Sequence, residues 1–200
     1  MSFNQVEQFE SKVAEFFGSP YAVATDCCTH ALELCLRFLE VDYAECPNQT
    51  YVSVPMTFMK LGIDWKFKDT YWEDYYYITH NVIDAAVLWK KGSYIPGTYM
   101  CLSFQFKKHL NLGRGGMILC DNRSAAEKLK KMSYDGRDPN LPWAEQNIDT
   151  LGYHYYMTPE TAQDGLNKLY AAKMMTPWKN WSSEDYPHLQ NMSIFKRNNG

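Results

Sequence analysis

Apolar positions near the start of the chain repeat at the spacing of one helix face. They do so between residues 6 and 17, and Gly18 stands where a left-handed C-cap ends a helix. Residues 21–25 form a short apolar run, which is typical of a buried strand. A second helical face then occupies residues 31–39. The pattern predicts a helix, a strand and a helix in succession.

Further along the chain, apolar runs of strand length alternate with polar turns. An amphipathic stretch predicts a helix over residues 124–132. Strands are predicted at residues 63–68, 75–78, 82–84, 98–104 and 117–120. Because strands alternate with helices, we expect an α/β fold with a mostly parallel sheet flanked by helices. No periodicity is clear from Trp178 onward, and we expect the polar end, residues 196–200, to be mobile.

Composition and charge narrow the class of protein. The 200 residues are 46% hydrophobic and 16% aromatic, which suits one domain with a sizeable core. The formal net charge of −3, without a block of lysine or arginine, argues against nucleic acid or an anionic membrane surface as a partner. The start of the chain is amphipathic and acidic, and no apolar run has the length of a membrane span, so we expect a cytoplasmic protein.

The cysteines indicate reduced thiols rather than a metal site. A cytosolic protein keeps its thiols reduced, and no CxxC pair or histidine spacing typical of a metal site is present. The cysteines are Cys27, Cys28, Cys35, Cys46, Cys101 and Cys120. The adjacent pair at 27 and 28 leaves a redox or nucleophilic role open, because a helix N-terminus lowers a thiol pKa, although no catalytic base is visible beside them.

A serine, a lysine and a glycine-rich turn share one stretch of the chain. Residues 103–116 have the sequence SFQFKKHLNLGRGG. Taken alone, this is a strand, a polar loop and a turn, and a lysine is usually solvated. The stretch resembles the SFxxxK…GxGG segment of the DegT/DnrJ-type nucleotide-sugar aminotransferases, which are fold-type I pyridoxal 5′-phosphate (PLP) enzymes. The resemblance implies that Ser103 binds the cofactor phosphate and Lys108 forms the internal aldimine, whereas Lys107 is a surface or substrate-facing cation.

A second match concerns a carboxylate at the end of a strand. Residues 81–86, NVIDAA, resemble the family's EDAA-type motif, which implies that Asp84 pairs with the pyridinium nitrogen. Such a carboxylate keeps the ring nitrogen protonated, and the protonated ring stabilises a carbanionic intermediate. The alternative is a strand-end aspartate that caps a loop. The family usually has a glutamine three positions later, where this chain has Val87.

Two more matches lie nearer the start of the chain. Residues 26–32, DCCTHAL, resemble the family's SSGTxAL turn, which implies that Cys28 and Thr29 hold the cofactor phosphate at a helix N-terminus. Residues 46–53, CPNQTYVS, resemble VPxxTFxA, which implies that Tyr51 stacks on the pyridine face. The alternative for this tyrosine is an ordinary place in the core.

A further resemblance implies a second subunit. Residues 152–158, GYHYYMT, resemble GYNYRMS, in which the asparagine reaches the neighbouring subunit's cofactor phosphate. His154 stands at that position and can donate a hydrogen bond. We therefore expect a homodimer with the active site at its interface.

The resemblance covers residues 6–169 and has two gaps. Between residues 69 and 81 relatives insert strand and helix units, and after residue 169 little chain remains for their C-terminal domain. We expect a PLP-binding domain at residues 1–175 and a tail, or remnant of the small domain, at 176–200. Three roles stay open for the aromatic cluster at residues 71–77. It can cover the shortened sheet, pack at the dimer interface or stack on a substrate nucleotide.

Two functions follow from the resemblance. The first is transfer of an amino group from an amino-acid donor, L-glutamate, to a nucleotide-linked keto-sugar, with Lys108 as the proton shuttle. The second is a catalytically impaired PLP-binding partner or regulatory protein of the same fold. A plain α/β binding module without the cofactor is a third and weaker alternative.

Overall fold

A computed structural model describes residues 3–196, in which helices cover both faces of a sheet. The helices are α1 (Asn4–Phe17), α2 (Cys28–Phe38), α3 (Ser53–Leu61), α4 (Arg123–Ser133) and α5 (Pro159–Met174). The strands are β1 (Tyr21–Thr25), β2 (Tyr43–Pro47), β3 (Asp64–Lys68), β4 (Tyr76–Tyr77), β5 (Val82–Asp84), β6 (Tyr99–Ser103) and β7 (Gly116–Cys120). No helix in this part of the chain has both the length and the apolar character needed to cross a bilayer.

The main sheet has the strand order β1-β7-β6-β5-β4, and its pairing is mixed. Only β5 and β6 run parallel within it, whereas β1 with β7, β6 with β7 and β4 with β5 are antiparallel. The expectation of a mostly parallel sheet was therefore wrong. A parallel neighbour usually needs a crossover that contains a helix, but the loop at residues 104–115 between β6 and β7 contains none, and the two strands pair antiparallel. The separate pair β2 and β3 is parallel, with α3 as its crossover.

Strand β7 lies inside the sheet and is buried along its whole length. Its side chains alternate between two apolar cores, as the two-residue period of a strand requires. Met117 and Leu119 pack in the core beneath α1 and α5, and Ile118 and Cys120 pack in the core beneath α2. The molecule is thus a three-layer sandwich with a sheet buried on both sides.

The first helix was predicted correctly, together with the residue that ends it. Gly18 has φ 79° and ψ 23°, and its N–H donates to the carbonyl of Ala14. The predicted strands and the helix over 124–132 also form, with shifts of one or two residues at most ends. The structure adds β2, α3 and α5, which the pattern did not predict.

The C-terminal segment, residues 176–196, folds back onto the sheet. Leu189 is 1% exposed and Phe195 is 0% exposed. The Leu189 N–H donates to the Asn48 carbonyl at 2.8 Å, and the Ser183 N–H donates to the Trp72 carbonyl at 3.0 Å. Most of the polar end expected to be mobile, residues 197–200, lies outside the described residues.

Candidate cofactor site

A cavity of about 600 Å³ opens where β5 and β6 end and α2 begins. Its volume lies within the usual range for small-molecule sites. Six of the seven predicted site residues line it, namely Cys28, Thr29, Tyr51, Asp84, Ser103 and Lys108. These residues come from four separate stretches of the chain, so the fold brings the separate matches together.

Asp84 is the last residue of β5 and is 6% exposed. Its Oδ1 accepts from the Ala86 N–H at 2.9 Å, and its Oδ2 accepts from the Tyr76 hydroxyl at 2.6 Å. Burial raises the pKa of Asp84, while these two hydrogen bonds and the charge of Lys108 oppose the rise. The carboxylate is thus buried, hydrogen-bonded on both oxygens and open to the cavity.

Lys108 lies in the loop between β6 and β7, where its N–H donates to the Gln105 carbonyl at 2.8 Å. Its Nζ lies 5.2 Å from the centre of the Trp181 ring. Burial lowers the pKa of Lys108, and the Asp84 carboxylate opposes this decrease. Neighbouring Lys107 is exposed at the cavity rim. The two adjacent lysines therefore occupy different environments, and Lys108 is the one suited to act as a nucleophile or base.

The N-terminus of α2 points at the same cavity. Its N-cap, Cys27, is extended, and among the described residues no side chain caps this helix. A helix N-terminus with free N–H groups is a favourable anion site. The Thr29 hydroxyl lies 2.8 Å from the Ser53 hydroxyl, and Ser103 adds a third hydroxyl to this side of the cavity. These donors suit a phosphate group.

The family model of the DegT/DnrJ/EryC1/StrS aminotransferases matches residues 1–97 and 90–189. The chain belongs to this family. The match spans both the α2 turn and the Lys108 loop, so the family assignment and the cavity rest on the same segments.

Solved structures share the fold of this family member at low sequence identity. AtS13 from Actinomadura melliaura is 18% identical with a TM-score of 0.74, and the alignment covers 86% of this chain and 61% of AtS13. The sugar aminotransferase CalS13 from Micromonospora echinospora is 13% identical with a TM-score of 0.72, over 86% of this chain and 61% of CalS13. The α/β, fold-type I class is thereby confirmed.

A curated relative matches a smaller part of the chain. "Uncharacterized protein MJ1066" from Methanocaldococcus jannaschii is 31% identical over 108 residues, which cover 50% of this chain and 28% of that protein. The chain thus spans about 60% of the length of the two solved structures and less than a third of this relative.

The donor set of this family member matches the chemistry of PLP. The α2 N-terminus and the hydroxyls beside it suit the phosphate, Asp84 suits a protonated ring nitrogen, and the amine of Lys108 suits the aldehyde carbon. Tyr51 stands at the cavity mouth with 56% of its surface exposed, which leaves its ring face available for stacking. The cofactor-binding roles of the individual residues stay predictions.

His154 lies outside the cavity of its own chain. Its side chain is 72% exposed, and its Nδ1 lies 2.9 Å from the Asp135 carboxylate. The ring also packs edge-on against Tyr156, with 4.8 Å between the ring centres. The structure therefore does not bring His154 together with the other predicted site residues, and a contact across a dimer interface stays a prediction.

Sequence reasoning missed several aromatic residues that line the cavity. They are Trp72, Tyr76, Trp181 and Tyr186. The first two belong to the aromatic cluster at residues 71–77, whose role the sequence left open. Both side chains line the cavity and are buried within their own chain, which excludes a role for them at a dimer interface alone. The other two come from the C-terminal segment, where no periodic signal indicated a packed element.

A polar cluster beside the α2 turn was also missed. The Asp26 carboxylate accepts from His30 at 2.6 Å and from Arg114 at 2.7 Å, and the His30 ring stacks on Tyr155 with 3.6 Å between centres. Burial alone lowers the pKa of His30, but hydrogen bonds and charges of Asp26 and Cys27 outweigh burial and raise the pKa to about 9. His30 is therefore protonated at neutral pH and places a cation, not a free base, beside Cys27.

Proposed function

We propose that this chain is a PLP-dependent aminotransferase that moves an amino group from an amino-acid donor, L-glutamate, to a keto-sugar linked to a nucleotide. The observation that carries the proposal is that Lys108 and Asp84 line one 600 Å³ cavity beside an uncapped helix N-terminus. When bound, PLP supplies an electron sink that stabilises negative charge on a substrate carbon. The sugar substrate rests on the family and on CalS13, which is named a sugar aminotransferase.

The chain's own residues have distinct tasks in this proposal. The α2 N-terminus and Ser103 hold the phosphate and fix the position of the cofactor. Asp84 holds a proton on the ring nitrogen, because an ionised carboxylate beside that nitrogen favours its charged form. Lys108 holds the cofactor and moves a proton at the substrate carbon, and its lowered pKa keeps more of the amine in the neutral form that can accept that proton.

Absorption spectroscopy tests the cofactor part of the proposal. Purified protein incubated with PLP should gain a visible absorption band, which Lys108→Ala should abolish. Lys107→Ala is the matched control, because Lys107 is adjacent but exposed, and it should keep the band. A wild-type protein without the band, or a band that survives in Lys108→Ala, would refute the role of Lys108.

A second candidate function is a catalytically impaired PLP-binding partner or regulator. Val87 favours it, because this apolar side chain lines the cavity where the family usually has a glutamine. Release of 2-oxoglutarate after addition of L-glutamate to the PLP-loaded protein separates the two functions. Stoichiometric release supports the aminotransferase, whereas an unchanged spectrum across a panel of amino donors supports the impaired partner.

We further propose that the protein acts as a homodimer in which His154 approaches the phosphate site of the other copy. The exposed position of His154 leaves it available for such a contact. Analytical ultracentrifugation should show a dimer. His154→Ala should lower the affinity for PLP without changing the absorption maximum, and an unchanged affinity would exclude the cross-subunit contact.

A further inference from the structure

Tyr76 lies directly opposite Asp84 in the sheet. The two residues are register partners in the antiparallel pair of β4 and β5, and the Tyr76 hydroxyl donates to the Asp84 carboxylate at 2.6 Å. Tyr76 is 7% exposed, and its ring packs against Trp72 with 5.0 Å between centres. The segment between residues 69 and 81, in which the chain departs from its relatives, thus supplies a buried partner for the carboxylate.

The hydrogen-bond chain continues to Thr50, whose hydroxyl contacts the Tyr76 hydroxyl. A hydroxyl has one proton to donate, and Tyr76 donates its proton to Asp84. Thr50 must therefore donate to Tyr76, so that the chain of donors runs toward the carboxylate. Burial and the nearby charge of Asp84 raise the pKa of Tyr76, which keeps its phenol protonated and able to donate.

Asp84 needs such donors because its surroundings oppose its charge. A buried carboxylate tends to take up a proton unless hydrogen bonds or a cation stabilise its ionised form. The Ala86 N–H donates to one oxygen, and the Tyr76 hydroxyl is the side-chain donor to the other. If the phenol were lost, Oδ2 would retain, within residues 3–196, only the more distant charge of Lys108.

We propose that Tyr76 is a positioning residue that keeps Asp84 ionised and aimed into the cavity, with Thr50 fixing the direction of its proton. The inference rests on the proposed function for its catalytic consequence, but its effect on Asp84 is a property of the chain alone. Hydrogen bonds to charged groups are among the stronger ones in proteins. Removal of the phenol should raise the pKa of Asp84 by one unit or more, a tenfold change in its ionisation constant.

Tyr76→Phe is the test, and Tyr77→Phe is the matched control. Tyr77 is the neighbouring tyrosine on β4, points the other way and is 46% exposed. Infrared difference spectra of the full chain without PLP should show a protonated carboxyl band in Tyr76→Phe at a pH at which wild type and Tyr77→Phe show none. If this band is lost in the double variant that carries both Tyr76→Phe and Asp84→Asn, the band belongs to Asp84.

The PLP-loaded protein provides a second measurement. Tyr76→Phe should bind PLP in full stoichiometry but release 2-oxoglutarate from L-glutamate at least tenfold more slowly than Tyr77→Phe. Infrared and half-reaction results in Tyr76→Phe that equal those of Tyr77→Phe would overturn the inference. If wild type fails to react with any donor, the proposed function fails, and the infrared result still decides the role of Tyr76.

Thr50→Val provides an independent variant if Tyr76→Phe does not fold. Valine keeps the shape of threonine but removes the hydroxyl that contacts Tyr76. The same carboxyl band should appear, at a lower pH than in Tyr76→Phe, because the direct donor to Asp84 remains. An unchanged titration of Asp84 in folded Thr50→Val would overturn the proposed chain of donors.

Discussion

Substitution of Gly116 tests how the sheet supports the candidate anion site at the start of α2. It is the first residue of β7 and faces the start of α2. A methyl group added there would lie 2.4 Å from the Cys27 carbonyl carbon and 2.5 Å from the Cys28 nitrogen. Both atoms belong to the backbone, so no side-chain rotation relieves the clash. Gly116→Ala should therefore push the N-terminus of α2 away from the sheet.

The size of the effect follows from these distances. Nonbonded carbon atoms prefer a separation of about 3.5–4.0 Å, so the backbone of the α2 turn must move by roughly 1 Å. Overpacking of this kind typically costs 1–3 kcal/mol and sometimes more. We expect Gly116→Ala to lose about 3 kcal/mol, which for a chain of this size lowers Tm by roughly 6–12 °C. The affinity for PLP should fall at least tenfold, because the proposed phosphate donors move.

The neighbouring glycines supply matched controls. A methyl group at Gly115 would contact only side chains, at 3.2 Å from Met157 and 3.3 Å from Phe104, so Gly115→Ala should cost about 1 kcal/mol or less. Gly113 has φ +74° with open space around it, so Gly113→Ala carries only backbone strain of roughly 1–2 kcal/mol. Urea unfolding followed by circular dichroism measures all three variants. A Gly116→Ala protein as stable as Gly115→Ala would refute the reasoning.

Two further predictions concern the α2 turn. The pKa of His30 is raised from 6.5 to about 9, so its contribution to stability should be fully present below pH 6.5 and lost as the pH rises through 9. Urea unfolding at several pH values should show this loss in wild type and not in His30→Gln; parallel pH profiles would contradict it. All six cysteines lie within the described residues, and Cys27 alone is not buried. A thiol reagent should therefore modify one cysteine rapidly, PLP should slow the reaction, and a fast phase that persists in Cys27→Ser would exclude this residue.

Local sequence patterns were sufficient for α1, for β5 and for the two strands that flank the Lys108 loop. The α1 helix ends at Gly18 because a left-handed residue without a side chain is the usual C-cap, and β5 ends at Asp84 as its apolar run indicated. The α5 helix was missed because Gly165 interrupts its pattern. That glycine lies against Phe9, and an added methyl would be 2.6 Å from the ring. A tertiary contact therefore requires glycine at this position, and no local pattern reveals such a contact.

The sequence predicted residues that line the candidate site, but it did not predict the residues that hydrogen-bond to them. The resemblance placed Lys108 and Asp84, and the structure brings both to one cavity. The hydrogen bond from Tyr76 depends on an antiparallel pairing that the expectation of a mostly parallel sheet did not indicate. Pairing direction is decided by which strands become neighbours, and the alternation of apolar residues is the same in both directions. A sequence pattern therefore finds a strand-end carboxylate more readily than its partner across the strands.

The C-terminal segment forms part of the cavity wall, and local sequence patterns did not predict this either. Trp181 lies over Lys108, although 73 positions of the 200-residue sequence separate them. The segment is held by backbone hydrogen bonds to loops near Asn48 and Trp72, which need no periodic side-chain pattern. The boundary at residue 175 stays a prediction, but the described part of the tail and the loop that carries Lys108 share one cavity. Changes in the tail should therefore alter the environment of Lys108 directly, because the Trp181 ring forms part of it.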